Sequence, residues 1–163
     1  MNHLKEFPII HEQRVEWGDM DAHGHVNNVV YFRYIENARI TYYETIKKYE
    51  YEKRNGVSFV VGSTSCNFRY PLTYPDVVLI GARVSMIKNS HIVMKYSIFS
   101  TFHKQVVADA EAVIVSYDYG KQTKITFPTE LRGNIILLEK TDPTGRDFDD
   151  EKDGQRNKNN IGD

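Results

Sequence analysis

The spacing of apolar positions changes several times along the chain, and each change predicts an element. Ile9 to Trp17 reads as a first strand. Gly18 to Asn28 then breaks the pattern with Gly, Asp, His and Asn, the residues of turns and loops. From Val29 to about Tyr51 the period becomes helical. Tyr31, Tyr34, Ile35, Ala38, Tyr42 and Ile46 recur at three- and four-residue steps, while Arg33, Glu36, Arg39 and Lys47 fall on other faces. Asn27 or Asn28 suits the N-cap, no Pro or Gly interrupts the helix, and Asn55-Gly56 closes the segment. Strand patterns follow. Val57 to Phe68 is rich in β-branched residues, and Asp76 to Ile87 and His91 to Phe102 are joined by a hairpin-like Lys88-Asn89-Ser90. Ile92, Met94, Tyr96 and Ile98 alternate with polar residues such as Lys95 and Ser97. Val106 to Tyr119 follows a second short connection, and Gln122 to Phe127 is expected to extend it after a turn at Gly120. Pro128 suits the first position of a short helix through about Leu138.

One strand, one long helix and a run of antiparallel strands define an α+β chain. The helix needs cover for its apolar face, and the sheet is the large partner at hand. The expected architecture is a long central helix lying across a curved antiparallel β-sheet. Residues 1–139 form the expected domain. Residues 140–163 carry mostly Asp, Glu, Lys, Arg, Asn and Gly, with Phe148 and Ile161 nearly alone as large apolar residues. That composition cannot offset its ordering entropy, so a charged, disordered tail is expected.

Composition narrows the function classes. A formal charge of -1 offers no basic stripe for nucleic acid. No leader pattern and no apolar run of membrane-spanning length are present. The single cysteine, Cys66, has no intrachain partner, which fits a reducing, cytoplasmic setting. The 11 Tyr and 8 Phe suit an aromatic-lined pocket and an ordinary core equally.

The segment Val15-Glu16-Trp17-Gly18-Asp19-Met20-Asp21-Ala22-His23-Gly24-His25-Val26-Asn27-Asn28 holds the candidate chemistry. It places carboxylates just before a helix N-terminus, where backbone N–H groups are unpaired and the dipole is positive. Such donors can stabilise an oxyanion, and a nearby carboxylate can act as general base or nucleophile. Acyl transfer to water needs no more than this. The same residues also serve as ordinary helix caps. Spacing alone leaves both readings open. His23 and His25 lack further ligands at a metal-binding spacing. Cys66 shows no activating neighbour and reads as a structural thiol. Ser63, Ser65 and Ser90 form no nucleophile elbow, and no glycine-rich phosphate loop occurs.

Trp17-Gly18-Asp19-Met20-Asp21, Gly24-His25-Val26-Asn27-Asn28 and the later Tyr31, Tyr34, Glu36, Ala38 and Arg39 closely resemble the signature of hotdog-fold acyl-CoA thioesterases of the 4-hydroxybenzoyl-CoA thioesterase-like group. The resemblance covers roughly Ile9 to Leu138. It implies a hotdog fold and hydrolysis of an acyl-CoA or acyl-carrier thioester. It also implies a homodimer or homotetramer with the site at the subunit interface. By position it makes Asp21 the catalytic carboxylate and Asp19 a brace. The backbone N–H of Asn28 becomes the oxyanion donor, with Gly24, His25 and Asn27 close by to orient loop, substrate or water. Asn67, Arg69, Lys88, Asn89 and Ser90 are the candidates for touching the coenzyme A or carrier portion. No separate cofactor and no metal are called for, because coenzyme A is part of the substrate. The alternative is a hotdog protein that binds acyl thioesters without turning them over.

Overall fold

The computed structural model describes residues 2–140 and residue 143. The expected tail, apart from Lys140 and Pro143, therefore lies outside the described residues. A short turn at the N-terminus leads to strand β1 (Ile9–Val15), helix α1 (Asn28–Thr45), helix α2 (Lys48–Asn55) and strands β2 (Ser58–Phe68), β3 (Asp76–Ile87), β4 (His91–Ser100) and β5 (Gln105–Asp118). The two-residue strand β6 (Thr123–Lys124) and helix α3 (Thr129–Glu139) complete the chain. The strands form one antiparallel sheet in the order β1-β3-β4-β5-β2, with β6 on the end of β5.

The α1 stripe read from the sequence is the buried one. Tyr31, Tyr34, Ile35, Ala38, Tyr42 and Ile46 are each no more than 3% exposed. They pack on the inner face of the sheet with Val78, Ile80, Ala82, Ile92, Met94, Ile98 and Ile114. In β4 the alternation holds for Ile92, Met94, Tyr96 and Ile98, and Lys95 is exposed. Ser97 is buried as well. It pairs with Gly81, and the ring of Phe7 lies so close to Gly81 that an added Cβ would sit 2.5 Å from it. The N-terminal segment thus covers part of the outer face.

Several boundaries differ from the sequence reading. β1 stops at Val15, and Trp17–Asp19 forms a 3-10 turn in which the Asp19 carboxylate accepts the Glu16 N–H. The expected single helix is two. Lys47 takes a left-handed φ of 60°, Asn134 of α3 donates its side-chain N–H to the Ile46 carbonyl, and α2 starts at Lys48. The break turns Lys48 inward, 2.9 Å from Glu52 and over the Tyr43 and Tyr49 rings. No Pro or Gly announces it, so the tertiary contacts decide it. β4 ends at Ser100, where buried Asp76 accepts from Ser100, Thr101 and the Phe102 N–H and turns the chain away. Gln122 to Phe127 does not lengthen β5; only Thr123–Lys124 pair, folding back antiparallel after the turn. Pro128 is the N-cap of α3 rather than its first residue, because its ψ of 135° is extended.

Candidate active site

The loop before α1 is organised by Asp19 and Asn27. The Asp19 carboxylate accepts from the Glu16 N–H at 2.8 Å and from the Tyr34 hydroxyl. Its backbone carbonyl accepts the Asn27 N–H at 2.9 Å. Burial, and then the bond to Asp19, push the Tyr34 hydroxyl far above its ordinary pKa, so it stays a donor. Both bonds fall on Asp19 Oδ2, which holds the loop against α1. The Met20–Val26 bridge and the Asp21 N–H to His25 carbonyl bond of 2.8 Å close a tight hairpin around Ala22, His23 and Gly24. Gly24 has a φ of +76°, a left-handed conformation that glycine adopts without steric cost. The Val26 N–H donates to the Leu72 carbonyl and ties the loop to the segment after β2.

Asp21 stands differently. Its Oδ1 accepts the His23 N–H at 2.8 Å, and its second oxygen has no donor among the described residues. At the helix start Asn27 is the cap. Its Oδ1 accepts the Val29 N–H at 3.0 Å and its carbonyl accepts the Val30 N–H at 2.9 Å. The Asn28 N–H is left with no acceptor among the described residues, at the positive end of an 18-residue helix.

Asp21, His25 and Asn28 line one cavity of about 390 Å³, with Val26, Tyr31, Phe68, Arg69, Tyr70 and Pro71. Tyr31 and Phe68 form its aromatic wall, ring centroids 5.0 Å apart and nearly perpendicular. Burial raises the Tyr31 hydroxyl pKa as well. A residue with an unengaged carboxylate oxygen, one with an unpaired helix N–H and an aromatic pair thus line one space. Gly24 shapes the loop beside it, and Asn27 acts through its cap.

The remaining candidates are dispersed. Arg69 reaches the cavity, and its guanidinium pairs with Asp109. Asn67 lies between Cys66 and Phe68 on β2, so strand alternation turns it to the other face of the sheet. Lys88, Asn89 and Ser90 form the β3–β4 turn, whose carbonyls accept from Arg132, Phe127 and Ser116. The Arg69 N–H bonds to Val107 near one end of β5, and Ser90 bonds to Ser116 near the other, about 30 Å apart at 3.3 Å per residue. Within one chain, then, that turn is far from Asp21. Tyr70 and Pro71 are cavity residues that sequence reasoning missed. They follow β2, and no local pattern connects them with the loop around residue 21. Cys66, half-buried in β2, has its thiol pushed up to about 11, chiefly by burial, which makes it a poor nucleophile. Among the described residues no group of three or more His, Cys, Asp or Glu could hold a metal ion, and no helix is long and apolar enough to cross a membrane.

A family model for the thioesterase-like superfamily matches residues 15–135. The chain is 27% identical to the long-chain acyl-CoA thioesterase FadM of Escherichia coli over 121 residues, 74% of this chain and 92% of that protein. It is 25% identical to the chloroplastic acyl-acyl carrier protein thioesterase ATL3 of Arabidopsis thaliana, over 82% of this chain and 70% of that one. A Thermus thermophilus thioesterase solved in complex with coenzyme A and Zn superposes with a TM-score of 0.74 at 27% identity, covering 83% of this chain and 97% of that one. The DHNA-CoA thioesterase of Staphylococcus aureus shares the fold, with a TM-score of 0.71 at 19% identity over 81% and 93% of the two chains. The helix laid on a curved antiparallel sheet, the loop that closes onto the helix start and these matches together show that the chain belongs to the thioesterase-like superfamily and is a thioester hydrolase of the hotdog fold.

Proposed function

We propose that the protein hydrolyses an acyl-CoA to the free acid and coenzyme A, with Asp21 as general base or nucleophile and the Asn28 N–H as oxyanion donor. One observation carries this reading. Asp21, with one carboxylate oxygen unbonded, and Asn28, with its N–H unbonded, line the same cavity, while Asp19 Oδ2 and the Asn27 side chain hold the loop and the helix start. In the reaction the thioester carbonyl oxygen takes the helix-start N–H as negative charge develops on it. Asp21 either takes a proton from the attacking water or adds to the acyl carbon and is released by water in a second step. The thiolate leaves as coenzyme A. His25 lines the cavity and orients the acyl group or the water, and Arg69 meets the polar portion of the leaving group. FadM, by name a long-chain acyl-CoA thioesterase, supports coenzyme A as the carrier; ATL3, by name an acyl-acyl carrier protein thioesterase, makes the carrier protein the second substrate form to assay.

The test is thiol release over a panel of short, long, branched and aromatic acyl-CoAs. Asp21→Asn is expected to lower kcat by about a thousandfold while leaving the thermal transition in place, in line with a lost general base. Full activity in that variant removes Asp21 from the reaction, and binding without turnover across the panel leaves an acyl-thioester binding protein.

The working form is a homodimer. β2 is an edge strand of 11 residues whose inner face leaves Val61 46% and Phe68 50% exposed. A long edge strand with exposed apolar side chains is a liability unless another strand or surface covers it. Sedimentation equilibrium at the mass of one chain would overturn this assignment.

A further inference from the structure

Ser97 is a buried hydroxyl that this reaction leaves without a task. The residue is 5% exposed, and its Oγ has no hydrogen-bond partner among the described residues. A hydroxyl taken out of water without a partner is costly, so the position calls for one. Ser97 stands on the outer face of the sheet. It pairs with Gly81 of β3, which Phe7 covers, and with Asp109 of β5. Asp109 pairs in turn with Asn67 of β2. Opposite residues on neighbouring strands share a face, so Asn67 belongs to the same outer row.

Ser97 lines a cavity of about 400 Å³ on that face, between the N-terminal segment and the start of β5. Phe7 and Val106 give it apolar walls, and Gln105 adds a carboxamide to the Ser97 hydroxyl. Two acids line it as well, and each is committed to an arginine, Glu6 to Arg83 and Asp109 to Arg69. Lys104 is exposed and has no ion-pair partner among the described residues, and His3 shares the lining. The charge left over is positive. Arg69 lines this cavity and the Asp21 cavity alike. A chain that begins at the thioester can therefore pass Arg69, one residue beyond the end of β2, and reach the outer face. Alkyl stretches on it would match Phe7 and Val106, amides would match Ser97 and Gln105, and an anionic end would match Lys104. The pantetheine arm of coenzyme A is such a chain, with two amides between alkyl groups and phosphates beyond them.

We propose that the outer cavity holds the pantetheine arm of the coenzyme A thioester, with the Ser97 hydroxyl bonded to the amide remote from the sulfur and Lys104 facing the phosphates. The proposal rests on the acyl-CoA reading above. Its experiment takes the best acyl group of that panel on three carriers: coenzyme A, pantetheine, which lacks the phosphates, and N-acetylcysteamine, which lacks the remote amide too. Values of kcat/KM are compared for the wild type, Ser97→Ala, Ser97→Leu and Lys104→Asn. Asn removes the charge and tolerates the left-handed φ of 55° at position 104. Ser97→Ala is expected to lose about threefold to tenfold with the coenzyme A and pantetheine thioesters, the worth of one hydrogen bond, and nothing with N-acetylcysteamine. Ser97→Leu, which fills the cavity, deepens the same selective loss. Lys104→Asn is expected to lose about twofold to fivefold with coenzyme A alone, an effect that added salt reduces. A purely structural role for Ser97 would lower all three rates together. Losses shared by the three carriers, or absent from all, overturn the proposal, and Ser97→Ala and Lys104→Asn decide this even if Ser97→Leu does not fold. A wild type that turns over the N-acetylcysteamine thioester as well as the coenzyme A thioester overturns it with no variant at all. No thiol release from any carrier removes the acyl-CoA reading itself, and the inference with it.

Discussion

At the β1 edge, α1 lies directly on the sheet. His11 of β1 bonds Thr41 at 3.1 Å, Gln13 accepts from Asn37 at 3.0 Å, and the residues between helix and β3 are almost wholly buried. At the β2 edge the helix stands off. The inner side chains Val61 and Phe68 are about half exposed, and two cavities, one holding Asp21 and one holding Arg39, open between α1 and the strand. The helix is seated to one side of the sheet. The covered side is packed, and the uncovered side leaves the two cavities open.

Substitutions on the two sides are expected to separate rate from stability. The largest effect is the loss of activity in Asp21→Asn described above. Next, Asn28→Pro deletes an N–H that has no acceptor among the described residues, at a position where helices accept proline. Asn27, with φ -59° and ψ 140°, already has the extended conformation that a following proline demands. A loss of about a hundredfold to a thousandfold in kcat is expected, with Asn28→Ala, which keeps the N–H, close to wild type. Equal rates in the two variants would place the oxyanion donor elsewhere. On the covered side, Ile80→Ala empties a fully buried position. It is expected to destabilise the protein by about 3 kcal/mol in urea titrations while leaving kcat of the folded enzyme nearly unchanged. A rate loss as large as that of Asn28→Pro would break the division between the two edges.

The smallest effect tests how open the β2 side is. Burial holds the Cys66 thiol at about 11, against an ordinary 9.0. At pH 8 a disulfide reagent should react with the folded protein ten- to a hundredfold more slowly than with the urea-unfolded chain, about what the smaller thiolate fraction allows. The raised value means that the fold favours the neutral thiol. Its contribution to stability is present below pH 9 and is lost as pH rises through about 11. Equal rates in the two states would show that the inner face of β2 is freely wetted.

The helix stripe was legible because burial of one face needs a repeat of three and four, and Tyr31, Tyr34, Ile35, Ala38, Tyr42 and Ile46 supply it. The strands were legible for the same reason at period two. The break at Lys47 was not, since it depends on Asn134 reaching the Ile46 carbonyl from α3, 88 positions away. The site was partly legible. Asp-x-Asp before a helix marks a cap or a carboxylate in reserve, and the resemblance singled out Asp21. What separates the two acids physically is that Asp19 is tied to α1 through Tyr34, whereas Asp21 lines the cavity that Asn28 also lines. Tyr70 and Pro71 could not be read as cavity residues, because the Val26–Leu72 bond that draws them in joins positions with no shared local pattern.

By itself, then, the sequence determined most of the elements, the buried face of the helix and the loop proposed for the chemistry, since these follow from local periodicity, capping and turn residues. Only the tertiary structure decided which carboxylate oxygen and which helix N–H remain unengaged, and that α1 sits off-centre over the sheet. Both depend on which long-range partners each group finds, and a partner far away in the chain leaves no periodic trace at either end.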